Sequence, residues 1–234
     1  MSKRAFGYIK DHRDDRDYDI RQLVVREVTL PPRLLVNEHT PIYNQGMIPK
    51  CVASCLAGVK TDQEFLERGE QIPFDDDWLY AQCKKLDGYA GEGTEIRFGL
   101  KVMSLLMKER GKPCPRRQWH IDGYYRILPD NSVNFVKQVL VQYGSIAFGS
   151  EWPRSWEGLF DVFPRPSGPV DGGHAYRIGG YWDDPEGFVI DNSWGLEDWG
   201  TWDGKGRAIM PFDIFTDTLA SGADCWKIVD HMCK

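Results

Sequence analysis

The sequence predicts an α+β protein with two lobes. In the first half, apolar residues recur at helical spacing over several segments. The second half contains short alternating apolar runs that are separated by glycine and proline. Because the helical patterns come before the strand patterns and do not alternate with them, they favour segregated layers over a parallel βαβ arrangement.

Four helices are predicted before residue 145. The first begins at Cys51, and the capping-box spacing of Thr61 and Glu64 predicts a break or restart there. Gly111 and Gly144 are the predicted stops of the third and fourth helices. The last three helices are predicted at about 76–86, 95–109 and 132–143.

Strands are predicted at 145–148, 175–181 and 187–192, the last with Phe188, Ile190 and Asn192 on one face. Residues 1–30 form a separate segment in this prediction. Its mixed charge run at 11–19 is typical of a solvated arm. The apolar run at 23–30 favours a strand or a docked extended segment.

Composition excludes several classes of protein. The net charge is −6 with no basic stripe, which argues against a dedicated nucleic-acid binder. No apolar stretch approaches the length of a membrane span or a signal-peptide core, so a cytoplasmic location is predicted. The six cysteines form no CxxC pair, and we expect most of them to be reduced structural residues and not zinc ligands.

Cys51 and Gln45 are candidates for thiol chemistry. At the first turn of a helix, the dipole and the free N–H groups favour a thiolate, and Lys50 adds positive charge. Gln45, six residues earlier, is placed to donate a hydrogen bond to an oxyanion near the sulfur. Taken singly, a buried structural cysteine and a solvated loop glutamine are the favoured explanations of these residues.

His174 and Asn192 supply the remaining parts of such a site. Two glycines before His174 and a strand after it place the imidazole at a strand start. Asn192 lies at the end of another strand, where its side-chain oxygen can accept the imidazole N–H and fix the tautomer. Alone, each is more often an ordinary polar residue or a turn former.

Taken together, the motifs resemble the papain family (C1) of cysteine peptidases over about residues 31–234. The resemblance implies a papain-like fold with a cleft between a helical lobe, mainly 41–130, and a β-barrel-like lobe, mainly 131–211. Residues 1–30 are then an N-terminal extension. The motifs that carry the resemblance are Asn44-Gln45-Gly46, Cys51-Val52-Ala53, Gly173-His174-Ala175, Asn192-Ser193-Trp194-Gly195 and Trp199-Gly200.

The same resemblance implies the chemistry. It makes Cys51 the nucleophile, His174 the base and later acid, Asn192 the orienting residue and Gln45 the oxyanion donor. Peptide bonds would be hydrolysed through a thioester acyl-enzyme, on protein or peptide substrates and with no metal or organic cofactor. Trp194 would shield the histidine–asparagine bond, and the sequence suggests Gly93, Trp194 and Met210 as substrate-binding residues.

The chain also departs from the family pattern just before the nucleophile. Pro49 and Lys50 replace the usual glycine and serine, and Val52 replaces a common tryptophan. A catalytically silent papain-like binding module, or a transferase or amidase on the same fold, therefore stays open as an alternative. Residues 1–30 are too short for a typical inhibitory pro-segment, so we expect them to dock on the domain surface and not to be a removable inhibitor.

Overall fold

The computed structural model describes residues 4–23, 25–105, 119–204 and 206–230. Helices α1–α3 form one lobe, and an antiparallel sheet with α4 and α5 forms the other. The helices are α1 (Cys51–Arg68), α2 (Asp76–Leu86), α3 (Ile96–Leu105), α4 (Val133–Tyr143) and α5 (Phe212–Ala220). The strands are β1 (Arg33–Leu35), β2 (Gly123–Arg126), β3 (Ile146–Pro153), β4 (Val170–Asp183), β5 (Glu186–Asp191), β6 (Arg207–Met210) and β7 (Asp224–Val229).

Helix α1 is continuous, so the predicted break at Thr61 is wrong. The Thr61 hydroxyl donates to the carbonyl of Ala57 within the same helix. Glu64 forms a buried ion pair with Lys60, one turn earlier. The helix ends where Gly69 adopts a positive φ of 69°.

The other predicted helices agree with the structure within its described ranges. Asp75 caps α2 and Ser132 caps α4 through side-chain oxygens that accept backbone N–H groups of the first turn. Helix α3 begins at Ile96. The predicted continuation to 109 and the predicted stop at Gly111 lie outside the described residues.

The sheet contains more strands than the sequence patterns indicated. Its order is β2-β7-β3-β4-β5-β6, and β1 pairs with β4. Among the described residues this path is open and forms no closed barrel. The apolar run at 25–30 forms no strand, and the chain joins the sheet later, in β1. Strands β1, β2 and β7 lie outside the predicted range 131–211. They join the sheet because β1 pairs with β4, β7 with β3 and β2 with β7.

Two apolar cores meet between α1 and β4. One core lies among α1, α2 and α3, and the other lies between the sheet and helices α4 and α5. Buried Arg177 of β4 joins them by pairing with Asp62 of α1 and Asp191 of β5. This contact fixes α1 against the sheet, and the candidate site lies at the N-terminus of the same helix.

No helix in the described part of the chain has the length and apolar character needed to cross a membrane. Four cysteines, Cys51, Cys55, Cys83 and Cys225, are buried free thiols, whereas Cys114 and Cys233 lie outside the described residues.

Candidate functional site

Cys51 is the first residue of α1 and is fully buried. Lys50 precedes it, but the Lys50 ammonium group binds two carboxylates of α2. The Lys50 Nζ lies 2.9 Å from Asp76 Oδ1 and 2.7 Å from Asp77 Oδ1, at the start of α2. These carboxylates neutralise Lys50, so the expected positive charge beside the thiol is compensated.

His174 and Asn192 are brought together by the pairing of β4 with β5. Nε2 of His174 lies 2.6 Å from Oδ1 of Asn192. The same oxygen also accepts the backbone N–H of Ser193, which holds the asparagine side chain in place. Nδ1 of His174 is buried and has no hydrogen-bond partner among the described residues, so this nitrogen is available for proton transfer.

Aromatic rings enclose the imidazole. Trp194 stacks on His174 with ring centroids 4.4 Å apart, and Trp152 contacts it edge-on at 4.9 Å. Burial lowers the pKa of His174 to about 3, although the hydrogen bond to Asn192 opposes that shift. The imidazole is therefore neutral near pH 7 in this conformation.

Burial has the opposite effect on the thiol, raising the pKa of Cys51 to about 11. Hydrogen bonds from backbone N–H groups, those of Ala175 and Gly7 among them, lower the pKa of Cys51, but burial raises it by more. Cys51 and His174 are thus both uncharged here. In this conformation both side chains are shielded from water. A thiolate–imidazolium ion pair between them can form only when water regains access to the site.

Gln45 lies in the loop before α1 and is held on both sides of its amide. Its Oε1 accepts the Ser193 hydroxyl at 2.6 Å, and its backbone N–H donates to the Ser193 carbonyl at 2.8 Å. The Nε2 group donates to the carbonyl of Ala5 at 3.0 Å and to that of Ile48 at 2.9 Å. The hydrogen-bond donor predicted for an oxyanion is therefore present, and it binds the peptide carbonyl of Ala5.

That carbonyl belongs to residues 4–12, which we call the N-terminal strap. The strap crosses the site between α1 and β4 and pairs with both lobes. On the sheet side, the backbone N–H of Tyr8 donates to the carbonyl of Gly173 at 3.0 Å. On the helical side, the backbone N–H of Thr94 donates to the carbonyl of Gly7 at 2.8 Å, and that of Ile9 donates to the carbonyl of Thr94 at 3.0 Å.

The strap is packed closely against the site. A Cβ on Gly7 would lie 1.9 Å from the carbonyl oxygen of Pro49, so only glycine fits there. Phe6 contacts His174 and Trp194 edge-on, and the Arg4 guanidinium lies 4.3 Å from the Trp194 ring centroid. Residues 1–30 are expected from the sequence to dock on the domain surface and not to be a removable inhibitor. The strap docks within the site, with the Gly7 backbone N–H against the Cys51 sulfur.

The remaining predicted residues have different outcomes. Gly93 adopts a φ of 80° beside the strap, where a Cβ would meet the Gly7 carbonyl at 2.6 Å. Trp194 lies at the site, against His174. Met210 is fully buried on β6 opposite Phe188, and its role as a substrate-binding residue stays a prediction.

Sequence reasoning missed several residues of the site. Ser193 was seen only as part of a motif, although it positions both Gln45 and Asn192. Trp152 gave no local signal, because it reaches His174 through the pairing of β3 with β4. The strap did give one: the apolar residues from Ala5 to Ile9 precede the charged run and interrupt an otherwise polar terminus.

Comparison with known proteins places this geometry in a known fold. No protein-family model matches the chain, and no curated protein is a significant sequence match. The chain is similar to the crystal structure of xylellain, a cysteine protease from Xylella fastidiosa, with a TM-score of 0.78, 24% identity and 99% of each chain covered. The chain has the papain-like fold.

Further structures support the papain-like fold at lower identity. The chain is similar to procathepsin B S9 of Trypanosoma congolense, with a TM-score of 0.74, 14% identity and 97% of this chain and 87% of that chain covered. It is also similar to the Carica candamarcensis cysteine protease CMS1MS2 in complex with E-64, with a TM-score of 0.62, 17% identity and 86% of this chain and 100% of that chain covered.

Proposed function

We propose that the protein is a cysteine peptidase that hydrolyses peptide bonds of protein or peptide substrates. The observation that carries this proposal is the 2.6 Å contact of His174 Nε2 with Asn192 Oδ1, which leaves Nδ1 without a partner among the described residues. The next residue, Ala175, donates its backbone N–H to the sulfur at the start of α1. Cys51, a free thiol, lies at that helix start. The papain-like fold supports the same arrangement.

The mechanism follows from the roles of these atoms. His174 Nδ1 takes the thiol proton, and the Cys51 sulfur attacks the carbonyl carbon of the substrate. The oxyanion forms against Gln45 Nε2 and the Cys51 backbone N–H. The imidazolium then protonates the leaving amine, and water, deprotonated by His174, attacks the thioester and releases the acid and the free thiol.

The strap must leave before this chemistry starts. It places the Ala5 carbonyl against Gln45 and excludes water from Cys51 and His174. Once these residues are solvated, the burial that raises the pKa of the thiol and lowers that of the imidazole is removed. The covered conformation is therefore a latent state of the proposed enzyme.

The proposal is tested by reacting the reduced protein with E-64 and mapping the adduct by mass spectrometry, alongside peptide hydrolysis. We expect a single adduct on Cys51 and hydrolysis that Cys51→Ala abolishes. Cys55→Ala, one turn deeper with its sulfur directed at the Tyr176 carbonyl, should keep both. An adduct elsewhere, or hydrolysis that survives Cys51→Ala, would falsify the assignment.

A further inference from the structure

One imidazole and two carboxylates meet at the end of the sheet where β2 pairs with β7. His120 and Asp122 precede β2, and Asp230 follows β7. The backbone N–H of Asp122 donates to the carbonyl of Val229 at 2.9 Å, so the register of the two strands brings the three side chains to one place. We call His120, Asp122 and Asp230 the β2–β7 cluster.

The spacing of the cluster suits a shared metal ion better than direct contact. His120 Nδ1 lies 3.8 Å from Asp122 Oδ1 and 4.0 Å from Asp230 Oδ1, and one donor atom of each residue lies within 4.8 Å of the other two. These distances are too long for hydrogen bonds. Ligand atoms held about 2.0–2.2 Å from one tetrahedral zinc ion lie about 3.3 Å apart, so movements of less than about 1 Å would close the set.

Two further carboxylates face Asp230 from α1. Donor atoms of Glu64, Glu67 and Asp230 also lie within 4.8 Å of one another. The Lys60 Nζ lies 2.7 Å from Asp230 Oδ2 and 2.9 Å from Glu64 Oε1. Lys60 therefore engages the Oδ2 oxygen of Asp230, and the Oδ1 oxygen is the one nearer to His120.

Glu64 independently indicates that this region attracts a cation. Its side chain is 1% exposed, and neither carboxylate oxygen accepts a well-aligned hydrogen bond from a described residue. In the described part of the chain, the lysine and arginine side chains that pair with Glu64, Glu67 or Asp230 are Lys60 and Arg68. Three carboxylates thus share two cations, and a buried carboxylate with open lone pairs favours a further positive charge.

We propose that the β2–β7 cluster binds a divalent transition-metal ion through His120 Nδ1, Asp122 and Asp230 Oδ1. Imidazole nitrogen together with carboxylate oxygen suits ions such as Zn²⁺ and Co²⁺. Because Lys60 ties Asp230 to α1, the ion would hold the sheet and the helical lobe together. Lys60 is nine residues beyond Cys51, about 13.5 Å along the helix, so the ion takes no part in the proposed peptide hydrolysis.

The test titrates full-length, metal-free, reduced Cys51→Ala protein with Co²⁺ and follows its visible absorption. We use Cys51→Ala so that the candidate nucleophile binds no metal. We expect one Co²⁺ per chain, displaced by Zn²⁺, without the intense near-ultraviolet charge-transfer band that a thiolate ligand produces. Adding His120→Ala should weaken Co²⁺ binding by about 10-fold or more, because it removes a ligand.

His39→Ala is the matched control, since His39 is exposed in the turn after β1. It should leave the Co²⁺ affinity unchanged. A thiolate charge-transfer band, equal Co²⁺ affinity in the His120→Ala and His39→Ala proteins, or no binding of either Co²⁺ or Zn²⁺ overturns the site.

Thermal unfolding gives a second measurement that does not depend on absorption. An ion that binds the folded chain raises the unfolding midpoint as its concentration rises. We expect Zn²⁺ to raise the midpoint of Cys51→Ala protein and of its His39→Ala derivative, and to leave that of the His120→Ala derivative unchanged. A rise of equal size in all three proteins contradicts binding at the cluster.

Asp122→Asn covers the case in which His120→Ala does not fold. Asp122 is exposed, and the change keeps the shape of the side chain while removing its charge. We expect Co²⁺ affinity to fall by about 10-fold in this variant, again with Cys51→Ala as the parent. Asp15→Asn, at a side chain that is 91% exposed, should not change it. Equal affinity in these two variants rejects the three-ligand site.

Discussion

The side-chain amide of Gln45 donates a 3.0 Å hydrogen bond to the carbonyl oxygen of Ala5, forty positions earlier in the chain. The group that the proposed mechanism reserves for an oxyanion therefore holds a peptide carbonyl of the protein itself. Next to it, Gly7 presents a backbone N–H to the Cys51 sulfur. An N–H is not an electrophile, so this contact covers the nucleophile without offering it a bond to attack.

Displacing the strap should activate the protein. Gly7→Ala adds a Cβ that would lie 1.9 Å from the Pro49 carbonyl, a clash that a backbone contact cannot absorb. We expect peptide hydrolysis and E-64 labelling of Cys51 to rise by about 10-fold or more, because thiolate formation no longer has to overcome burial. Both rates are measured on the full-length protein near pH 7.

Gly91→Ala is the matched control for this variant. Gly91 is exposed, and its added Cβ would meet nothing within 4 Å. It should leave both rates unchanged. If Gly7→Ala labels no faster than Gly91→Ala, the strap does not limit access to Cys51.

Removal of the Gln45 amide should affect catalysis more than binding. With Gly7→Ala as the parent, so that the strap does not interfere, Gln45→Ala is expected to lower kcat by about 10²–10³-fold with a smaller change in KM. The physical reason is that the oxyanion exists only in the transition state and intermediate. Steady-state kinetics on one peptide substrate measures both constants.

Ser193→Ala provides a graded companion to Gln45→Ala. Ser193 does not reach the reacting atoms but fixes Gln45 Oε1 at 2.6 Å, so its loss should lower kcat less than Gln45→Ala does. Gln82→Ala on α2 is the control and should change neither constant. A Gln45→Ala variant with native kcat and raised KM would assign the glutamine to substrate binding instead.

The sequence predicts those site residues that stand at recognisable positions of a helix or strand. It does not predict the residues that reach the site only through contacts between distant segments. Cys51 at a helix start and Asn192 at a strand end are local positions that periodicity reveals. His174 lies inside β4 and not at the predicted strand start, because β4 already begins at Val170.

Ser193 and Trp152 act through pairing of distant segments, which no local pattern encodes. The apolar run of the strap is visible in the sequence, but the place where it docks is not. The fold shows the same division, since α2 was predicted at its bounds whereas β7 and α5 were not.

Arg177 is a structural residue whose role depends on contacts between distant segments of the chain. Its side chain is 3% exposed and pairs with Asp62 and Asp191, and so joins α1 to the sheet. Arg177→Met leaves the buried carboxylate of Asp62 without its cation and leaves Asp191 with Arg207 alone, and we expect the free energy of unfolding to fall by about 3–5 kcal/mol. Urea denaturation monitored by tryptophan fluorescence measures this change.

Arg165→Met is the comparison for Arg177→Met. Arg165 also pairs with a carboxylate, that of Asp213, but its side chain is 68% exposed. Its loss should cost less than about 1 kcal/mol, because water replaces the ion pair. Equal losses for the two variants would mean that the buried network contributes no more than a surface pair.

The strap should also respond to pH through Asp11. Burial, and then the charge of Asp224, raises the pKa of Asp11 from 3.8 to about 7 while the strap is in place. Both causes disappear when the strap leaves, so the covered state binds this proton more tightly than the open state. The resulting stability is fully present below about pH 4 and is lost as the pH rises through 7.

His174 opposes this trend from the acid side. Burial holds its pKa near 3, below the ordinary 6.5, so falling pH favours the open state in which the imidazole is solvated and protonated. Asp11→Asn removes only the first effect and leaves the second in place. Comparing this variant with the native chain therefore isolates Asp11, although Arg97 and Trp226 also contact its carboxylate.

Hydrogen exchange of strap residues 5–9 reads out opening, with protection factors corrected for the intrinsic pH dependence of exchange. We expect the ratio of protection factors, native over Asp11→Asn, to fall by about 10-fold between pH 5.5 and pH 8. Asp15→Asn, whose side chain is 91% exposed, should give a ratio that does not vary with pH. A native-to-Asp11→Asn ratio that is equally flat would show that the Asp11 carboxyl does not control the strap.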